Sequence, residues 1–221
     1  MKRVDLRLYG ILDPARTRGR ALADLAQAAV AGGCTLIQLR DKHGDGRTLV
    51  ESARALKSAL AGSGVPLLVN DRVDVALAAG ADGVHLGQGD MHPSDARRLL
   101  GREAIIGLTL KTPAQADEMY RMPVDYACIG GVFATVSKDN PDPPIGLDGL
   151  ARVAFRARLA ASVPVGAIAG IDAANAGSVI ASGVDGVAVI SALFMADDPA
   201  AEARRLRAAV DGALAARRGF A

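Results

Sequence analysis

Acidic and basic side chains follow three consecutive apolar runs of the chain. Arg40 and Lys42 come after the run that ends at Leu39, Asp71 follows the next run, and Asp90 follows the third. Neighbouring strands of a sheet lie about 4.8 Å apart, so carboxylates that leave adjacent strands can share one hard cation such as Mg²⁺. Arginine and lysine beside them can face phosphate oxygens. The spacing therefore predicts a metal and pyrophosphate site.

Two amides stand next to these charged residues. Gln38 shares the two-residue period of Arg40 and Lys42, so all three donors converge on one side of an extended segment, and Asn70 directly precedes Asp71. Each residue alone has a plainer interpretation, because charges that leave a strand are usually solvated and aspartate often caps a helix. Their joint position at consecutive strand ends favours a functional site.

A long loop at 130–146 predicts a phosphate contact. It is rich in glycine and proline and offers Thr135, Ser137 and Lys138. Its plainer interpretation is a surface loop, but long irregular loops in compact barrels are commonly functional. We expect Lys138 to neutralise a phosphoryl oxygen when this loop closes.

The histidines predict no catalytic base. His85 has the parity opposite to that of Gln88 and Asp90, which indicates a hydrogen-bonded structural residue. No pair of histidines has zinc spacing, and the order of the residues supports neither a Ser-His-Asp nor a Cys-His arrangement. Nucleophilic catalysis by the protein is therefore unsupported.

Short apolar runs alternate with helical patterns along the whole chain. Eight strands are predicted, at Asp5–Leu12, Cys34–Leu39, Pro66–Val69, Gly83–Leu86, Ala104–Thr109, Tyr126–Gly130, Val165–Ala169 and Gly186–Ile190. Eight such units predict an α/β fold, a (β/α)₈ TIM barrel that forms a single domain over 1–221, because closure removes both sheet edges. An open doubly wound sheet is the alternative, but no Gly-x-Gly-x-x-Gly follows the first strand and no Walker A loop occurs.

The last two predicted strands end in small residues. Gly170 follows the seventh strand, Ile190 ends the eighth, and Ser191 follows it. Backbone N–H groups at such positions can approach an anion closely, and barrels often bind phosphate after strands seven and eight.

Composition restricts the class of partner. Half of the 221 residues are apolar, aromatic residues make up 3%, and the formal charge is +2 with Lys and Arg scattered along the helices. These features argue against a nucleic-acid partner. No apolar run reaches the length needed to cross a membrane. Cys34 and Cys128 are isolated, which indicates reduced thiols in a cytoplasmic protein. We expect small-molecule substrates, and a homo-oligomer is compatible with the sequence.

Four segments in one order carry a family resemblance. They are QLRDK at 38–42, LVNDRVDVALAAGADGVHLGQGD at 68–90, the loop ending in PPIGLDGL at 143–150, and GVDGVAVISA at 183–192. With them the chain resembles the thiamine phosphate synthase family over nearly its whole length. The resemblance implies a transferase that joins hydroxymethylpyrimidine pyrophosphate to a thiazole phosphate alcohol, with Mg²⁺, and releases pyrophosphate.

The resemblance also implies roles for individual residues. Asp71 and Asp90 would hold Mg²⁺. The residues implied to bind the pyrophosphate-bearing substrate are Gln38, Arg40, Lys42, Asn70 and Lys138, with Thr109 near the pyrimidine. Arg40, Lys42, Lys138 and Thr109 are the implied catalytic residues. The residues implied to contact the thiazole phosphate are Thr135, Ser137, Gly170, Ile190 and Ser191.

The chain departs from the usual family pattern at several positions. Thr109 stands where serine is usual, Ser137 where threonine is usual, and Ala169 where the first glycine of a pair is usual. Leu12 stands where threonine is often found, so Asp13 receives no role. These changes bear on substrate contacts more than on the reaction.

Two alternative functions are considered. A related thiazole tautomerase has the same barrel and uses a histidine near the later strands, but neither Gly131 nor its neighbours is histidine. A non-catalytic barrel that binds thiamine phosphate as a sensor is the other alternative. The presence of both aspartates favours the synthase.

Overall fold

Eight parallel strands close into a barrel in this computed structural model, which describes residues 4–135 and 142–219. Each strand pairs with the next along the chain, and the eighth pairs with the first. The strands are β1 (Leu8–Leu12), β2 (Leu36–Leu39), β3 (Leu67–Asn70), β4 (Gly83–Leu86), β5 (Ile105–Leu110), β6 (Tyr126–Ile129), β7 (Val165–Ile168) and β8 (Gly186–Val189). The predicted (β/α)₈ barrel is confirmed, and the open-sheet alternative is wrong.

Helices follow the strands and cover the outside of the barrel. They are α1 (Leu22–Ala31), α2 (Gly46–Ala59), α3 (Val73–Ala79), α4 (Pro93–Leu100), α5 (Pro113–Asp117), α6 (Gly146–Ala160), α7 (Ala176–Ala181), α8 (Ser191–Phe194) and α9 (Pro199–Gly219). Short 3₁₀ turns lie at Pro14–Arg16 and Glu118–Arg121. In the described part of the chain, no helix has both the length and the apolar character needed to cross a membrane.

The alternation of side chains along each strand separates two apolar regions. On β2, Ile37 and Leu39 pack outward with the helices, whereas Leu36 belongs to the cluster inside the barrel. Gln38 shares the parity of Leu36 and is also buried. Because both faces of every strand are covered, the strands appear in the sequence as continuous apolar runs.

Gly107 on β5 makes room for a large ring inside the barrel. Tyr126 lies opposite Gly107 in the register of β5 and β6 and is completely buried. A Cβ atom at Gly107 would lie 2.1 Å from the ring carbon Cζ of Tyr126. Only glycine at this position lets the Tyr126 ring occupy the interior.

The predicted start of β1 is wrong by three residues. The strand was predicted from Asp5, but it begins at Leu8. The backbone N–H of Arg7 donates to the Asp5 carboxylate at 3.1 Å, and the Arg7 guanidinium pairs with the same carboxylate at 2.6 Å. Such local side-chain bonds compete with a sheet ladder. The strand therefore starts after this pair.

Polar side chains organise the turns before two of the helices in different ways. Thr112 caps α5 with a full capping box, in which its hydroxyl accepts from the Gln115 N–H and Gln115 reaches back. The Asp172 carboxylate accepts from the N–H groups of Ala174 and Asn175, in the turn before α7 begins.

Candidate active site

The carboxylates of Asp71 and Asp90 face each other at the C-terminal mouth of the barrel. Burial raises the pKa of the Asp71 carboxyl, the Asp90 carboxyl raises it further, and Lys42 opposes both effects. Two carboxylates at close range repel each other when both are charged. The structure therefore brings together the two residues predicted to share a cation.

The backbone aims each of these carboxylates. Asp71 has a φ of 60° directly after β3, and its N–H continues the ladder by donating to the His85 carbonyl at 2.9 Å. Aspartate tolerates this left-handed conformation better than most residues. The Asp90 carboxylate accepts from the Gly87 N–H at 2.7 Å, which ties it to the end of β4.

Lys42 extends across the mouth and pairs with Asp71. The Lys42 ammonium donates to the Asp71 carboxylate, and about half of the Lys42 side chain is exposed. The predicted convergence of the β2 exit with the β3 exit is therefore present. The Lys42 ammonium lies at the mouth beside the Asp71 carboxylate, where an anionic ligand could also contact it.

Arg40 is held by Asp13, a residue for which no role was predicted. The Arg40 guanidinium donates to the Asp13 carboxylate, and both side chains are largely buried. Asp13 also accepts from the Ala15 N–H at 3.0 Å, and the Arg40 N–H donates to the Leu12 carbonyl at 2.8 Å. The signal in the sequence was an aspartate directly after the first strand, the kind of position that Asp71 occupies near the third.

A row of polar side chains crosses the barrel interior beneath the mouth. Gln38 donates to the Tyr9 hydroxyl, and the Tyr9 and Tyr126 hydroxyls lie 2.9 Å apart. His85 Nδ1 lies 2.8 Å from the Tyr126 hydroxyl, and His85 Nε2 lies 2.8 Å from the Thr109 hydroxyl. His85 is hydrogen-bonded through both ring nitrogens, as predicted. The two tyrosines were not identified from the sequence, although their parity places them inside.

Asn70 and Gln88 complete this side of the mouth. Asn70 ends β3 with the parity of the buried Leu68, and its side chain is partly exposed. Gln88 lies shortly after the end of β4. Its side-chain amide donates to the backbone carbonyl of Thr109 at 2.6 Å, which links the exits of β4 and β5.

A cavity of about 420 Å³ opens at the exits of β7 and β8. Its lining includes four residues predicted to contact a phosphate, which are Thr135, Gly170, Ile190 and Ser191. The segment after β6 is tied to the exit of β7, since the Phe133 N–H donates to the Ala169 carbonyl at 3.1 Å. The predicted residues Ser137 and Lys138 lie outside the described residues.

Two consecutive residues with positive φ shape this cavity. Gly170 has a φ of 65°, and a Cβ atom there would lie 2.5 Å from the Ala134 carbonyl oxygen. Ala169 has a φ of 97°, which an alanine rarely adopts. Ala169 therefore has a methyl group on strained backbone beside the cavity.

The donor set at the mouth suits a hard divalent cation. Among residues 4–135 and 142–219, no group of three or more His, Cys, Asp or Glu side chains is arranged to hold a metal. Mg²⁺ usually keeps one or two carboxylates and takes its other ligands from water and substrate phosphates. The facing oxygens of Asp71 and Asp90 fit that requirement.

Comparison with known proteins identifies the family. Residues 8–193 match the model of a family described as thiamine monophosphate synthase. The chain belongs to this family. The thiamine monophosphate synthase family resemblance seen in the sequence is thereby confirmed.

Relatives within the thiamine monophosphate synthase family match the chain from end to end. A thiamine-phosphate synthase from Agrobacterium fabrum is 53% identical over 218 residues, which cover 98% of this chain and 99% of the relative. One from Chloroflexus aurantiacus is 46% identical and covers 94% of both chains. The solved thiamine phosphate pyrophosphorylase from Pyrococcus furiosus has a TM-score of 0.83 and 35% identity, covering 96% of this chain and 98% of its own.

The same barrel also occurs outside the thiamine monophosphate synthase family. The solved structure of a 3-hexulose-6-phosphate synthase matches with a TM-score of 0.64 at 20% identity, which shows the shared fold alone. The comparisons support neither the tautomerase-like isomerase nor the non-catalytic barrel.

Proposed function

We propose that this chain is a thiamine phosphate synthase, a transferase that joins hydroxymethylpyrimidine pyrophosphate to a thiazole phosphate alcohol. Pyrophosphate is released and thiamine phosphate is formed. The observation that carries the proposal is the meeting of Asp71, Asp90 and Lys42 at one edge of the barrel mouth. Family membership and relatives named thiamine-phosphate synthase support the same reaction.

The reaction needs charge neutralisation more than it needs a nucleophile. The bond between the pyrimidine methylene carbon and the pyrophosphate oxygen breaks, and the oxygen keeps the electron pair. The carbon becomes cationic and the aminopyrimidine ring delocalises that charge. The thiazole nitrogen then donates its lone pair to the same carbon. The protein therefore orients two anionic substrates and stabilises the leaving group.

Asp71 and Asp90 would hold Mg²⁺ at this site. When bound, the ion neutralises charge on the departing pyrophosphate. The two residues serve this purpose through their positions, since Asp90 is tied to Gly87 and Asp71 is fixed by its backbone at the end of β3.

Arg40, Lys42 and Lys138 would stabilise the leaving group from the protein side. Asp13 holds the Arg40 guanidinium, so the guanidinium stays at the mouth when the substrate arrives. Lys42 is already beside the carboxylate pair. A preorganised cation costs no reorganisation during the reaction, and loss of one such contact reduces the rate by about a hundredfold.

The two substrates would occupy neighbouring regions of the mouth. Gln38, Asn70 and Thr109 would contact the pyrimidine-bearing substrate, since they lie between the charged edge and the barrel interior. The cavity at the ends of β7 and β8 would take the thiazole phosphate. The residues proposed to contact that phosphate are Thr135, Ser137, Gly170, Ile190 and Ser191.

The proposal includes a cytoplasmic location and small-molecule partners. Cys34 and Cys128 are buried thiols, as expected in a reducing compartment. A homo-oligomer stays a prediction.

The test is a synthesis assay with the purified chain, both substrates and Mg²⁺. We expect pyrophosphate and thiamine phosphate in equal amounts, and neither product when a chelator replaces Mg²⁺. A chain that binds thiamine phosphate but releases no pyrophosphate would support the non-catalytic barrel instead. Mass spectrometry of the product separates joining of the substrates from isomerisation of the thiazole.

A further inference from the structure

We propose that Tyr9, Tyr126 and His85 are positioning residues that fix the Thr109 hydroxyl as a hydrogen-bond donor toward the barrel mouth. The inference rests on the proposed function and deepens it, because it states how the site would recognise the pyrimidine ring. It concerns the direction of the hydrogen bonds in the row that runs from Gln38 to Thr109.

The row is continuous and mostly buried. Tyr9 and Tyr126 are almost completely inaccessible, and Gln38 and His85 are also buried. Thr109 is the most exposed member and lies on the last part of β5, at the mouth. The rings pack as well as bond, since His85 stacks on Tyr126 with 5.5 Å between ring centroids. The row therefore runs from the almost fully buried Gln38 to the more exposed Thr109.

The Gln38 end sets the direction of the hydrogen bonds in the row. Gln38 places its amide nitrogen on the Tyr9 oxygen, and an amide nitrogen can only donate. The Tyr9 O–H then has one hydrogen-bond partner left among the described residues, the Tyr126 oxygen, to which it donates. Tyr126 in turn donates its own proton to His85 Nδ1.

The imidazole transmits this direction to the mouth. A neutral imidazole that accepts at Nδ1 carries its proton on Nε2. His85 Nε2 therefore donates to the Thr109 oxygen. The Thr109 hydroxyl accepts this bond, so its own proton is available for an acceptor atom in the mouth.

Burial keeps both phenols protonated. The proposed direction of the hydrogen bonds in the row requires this. Burial is the largest cause that raises the pKa of both Tyr9 and Tyr126 far above the ordinary value for tyrosine. Each phenol therefore supplies one donor at all working pH values. Both tyrosines therefore stay uncharged, and the hydrogen bonds of the row keep one direction through them.

The ligand atom that fits this hydroxyl is a hydrogen-bond acceptor. A ring nitrogen of an aminopyrimidine is such an acceptor, whereas its exocyclic amine is a donor. If the hydrogen bonds of the row ran in the opposite direction, the Thr109 hydroxyl would act as an acceptor toward the mouth and would select the amine. The protonation of one histidine nitrogen therefore decides which edge of the heterocycle Thr109 recognises.

The first experiment measures the tautomer of His85 by ¹⁵N NMR in the full chain, with the signal assigned by its loss in His85→Asn. We expect a protonated Nε2 and an unprotonated Nδ1 at neutral pH. A proton on Nδ1 would overturn the proposal. This measurement needs neither substrate, so it stands even if the synthesis assay fails.

The second experiment compares Tyr126→Phe with Tyr120→Phe. Tyr120 is exposed and outside the chain of bonds, so its variant controls for loss of a phenol. We expect Tyr126→Phe to change the His85 tautomer signal and to reduce kcat/KM for the pyrimidine substrate by about tenfold, which corresponds to about one buried hydrogen bond. KM for the thiazole phosphate should stay constant.

Tyr9→Phe provides a second variant in case Tyr126→Phe does not fold. It should weaken the same direction of donation and shift the His85 signal toward a mixture of tautomers. If a folded variant leaves both the tautomer and kcat/KM unchanged, the two tyrosines serve only to fill the barrel and the proposal is wrong. If the wild-type protein makes no thiamine phosphate while His85 has the expected tautomer, the proposed function is wrong. The proposed direction of the hydrogen bonds in the row would still hold.

Discussion

Asp13 and Arg40 form an ion pair between the ends of β1 and β2, and their side chains are only 9% and 15% exposed. The pair connects two neighbouring strand exits at the barrel mouth. Breaking a largely buried pair leaves the remaining charge without compensation. The position of Arg40 therefore depends on a residue that need not touch a substrate.

We expect Asp13→Asn to lower kcat/KM for the pyrophosphate-bearing substrate by about tenfold or more, because Arg40 loses its anionic partner. The asparagine oxygen can still accept from the Ala15 N–H, so the turn after β1 is kept. Steady-state kinetics checks the effect. Asp95→Asn is the control, since Asp95 pairs with Arg98 on the exposed surface and should change neither activity nor folding noticeably. Equal kinetics for the two variants would contradict the role of Asp13.

We expect Asp90→Asn to reduce Mg²⁺-dependent turnover by about a hundredfold or more while the chain without metal stays at least as stable as the wild type. The asparagine keeps the bond to the Gly87 N–H and removes the like charge that faces Asp71. Turnover and thermal unfolding, each with and without Mg²⁺, check both parts. Asp90→Ala loses the Gly87 bond as well and should be the less stable of the two variants. An Asp90→Asn enzyme with full Mg²⁺-dependent activity would remove Asp90 from the metal site.

We expect Ala169→Gly to stabilise the chain by about 1 kcal/mol, because glycine adopts a φ of 97° without the strain of a Cβ atom. Urea unfolding measures the difference. Ala167→Gly is the matched control on β7, where the side chain is buried and φ is not positive, and it should destabilise the chain. Changes of the same sign in the two variants would show that the backbone at Ala169 is not strained.

We expect Gly170→Ala to raise KM for the thiazole phosphate by about tenfold or more and to leave KM for the pyrimidine substrate nearly unchanged. The added methyl group would lie 2.5 Å from the Ala134 carbonyl oxygen, so the segment after β6 must move away from the cavity. Gly183→Ala is the control, since Gly183 has a φ of 101° with open space around its Cβ position. That variant should lose some stability and keep both KM values. A Gly170→Ala enzyme with kinetics like those of Gly183→Ala would exclude the cavity as the phosphate site.

The barrel could be predicted from the sequence because its strands are buried on both faces. Continuous apolar runs and regular helical spacing marked each unit, and the predicted bounds of β4 coincide with the observed ones. The start of β1 could not be predicted in this way, since the bonds between Arg7 and Asp5 are formed by side chains that the apolar pattern does not describe.

The candidate site could be predicted only in part. Strand-end positions brought Asp71 and Asp90 to one edge, because parallel strands all end at the same face. Pairing between side chains could not be predicted, since it depends on rotamers and depth. The Asp13 partner of Arg40 and the bond between Tyr9 and Tyr126 join residues far apart in the sequence. Parity places such residues inside or outside but does not select their partners.

The absence of a side chain at Gly107 has a consequence for how this enzyme could be redesigned. The space that a larger residue would fill is taken by the phenol of Tyr126, which reaches Thr109 through His85. Preference between heterocycles could thus be retuned from the floor of the barrel, by the volume allowed at one position. The loops that handle phosphate need not be altered.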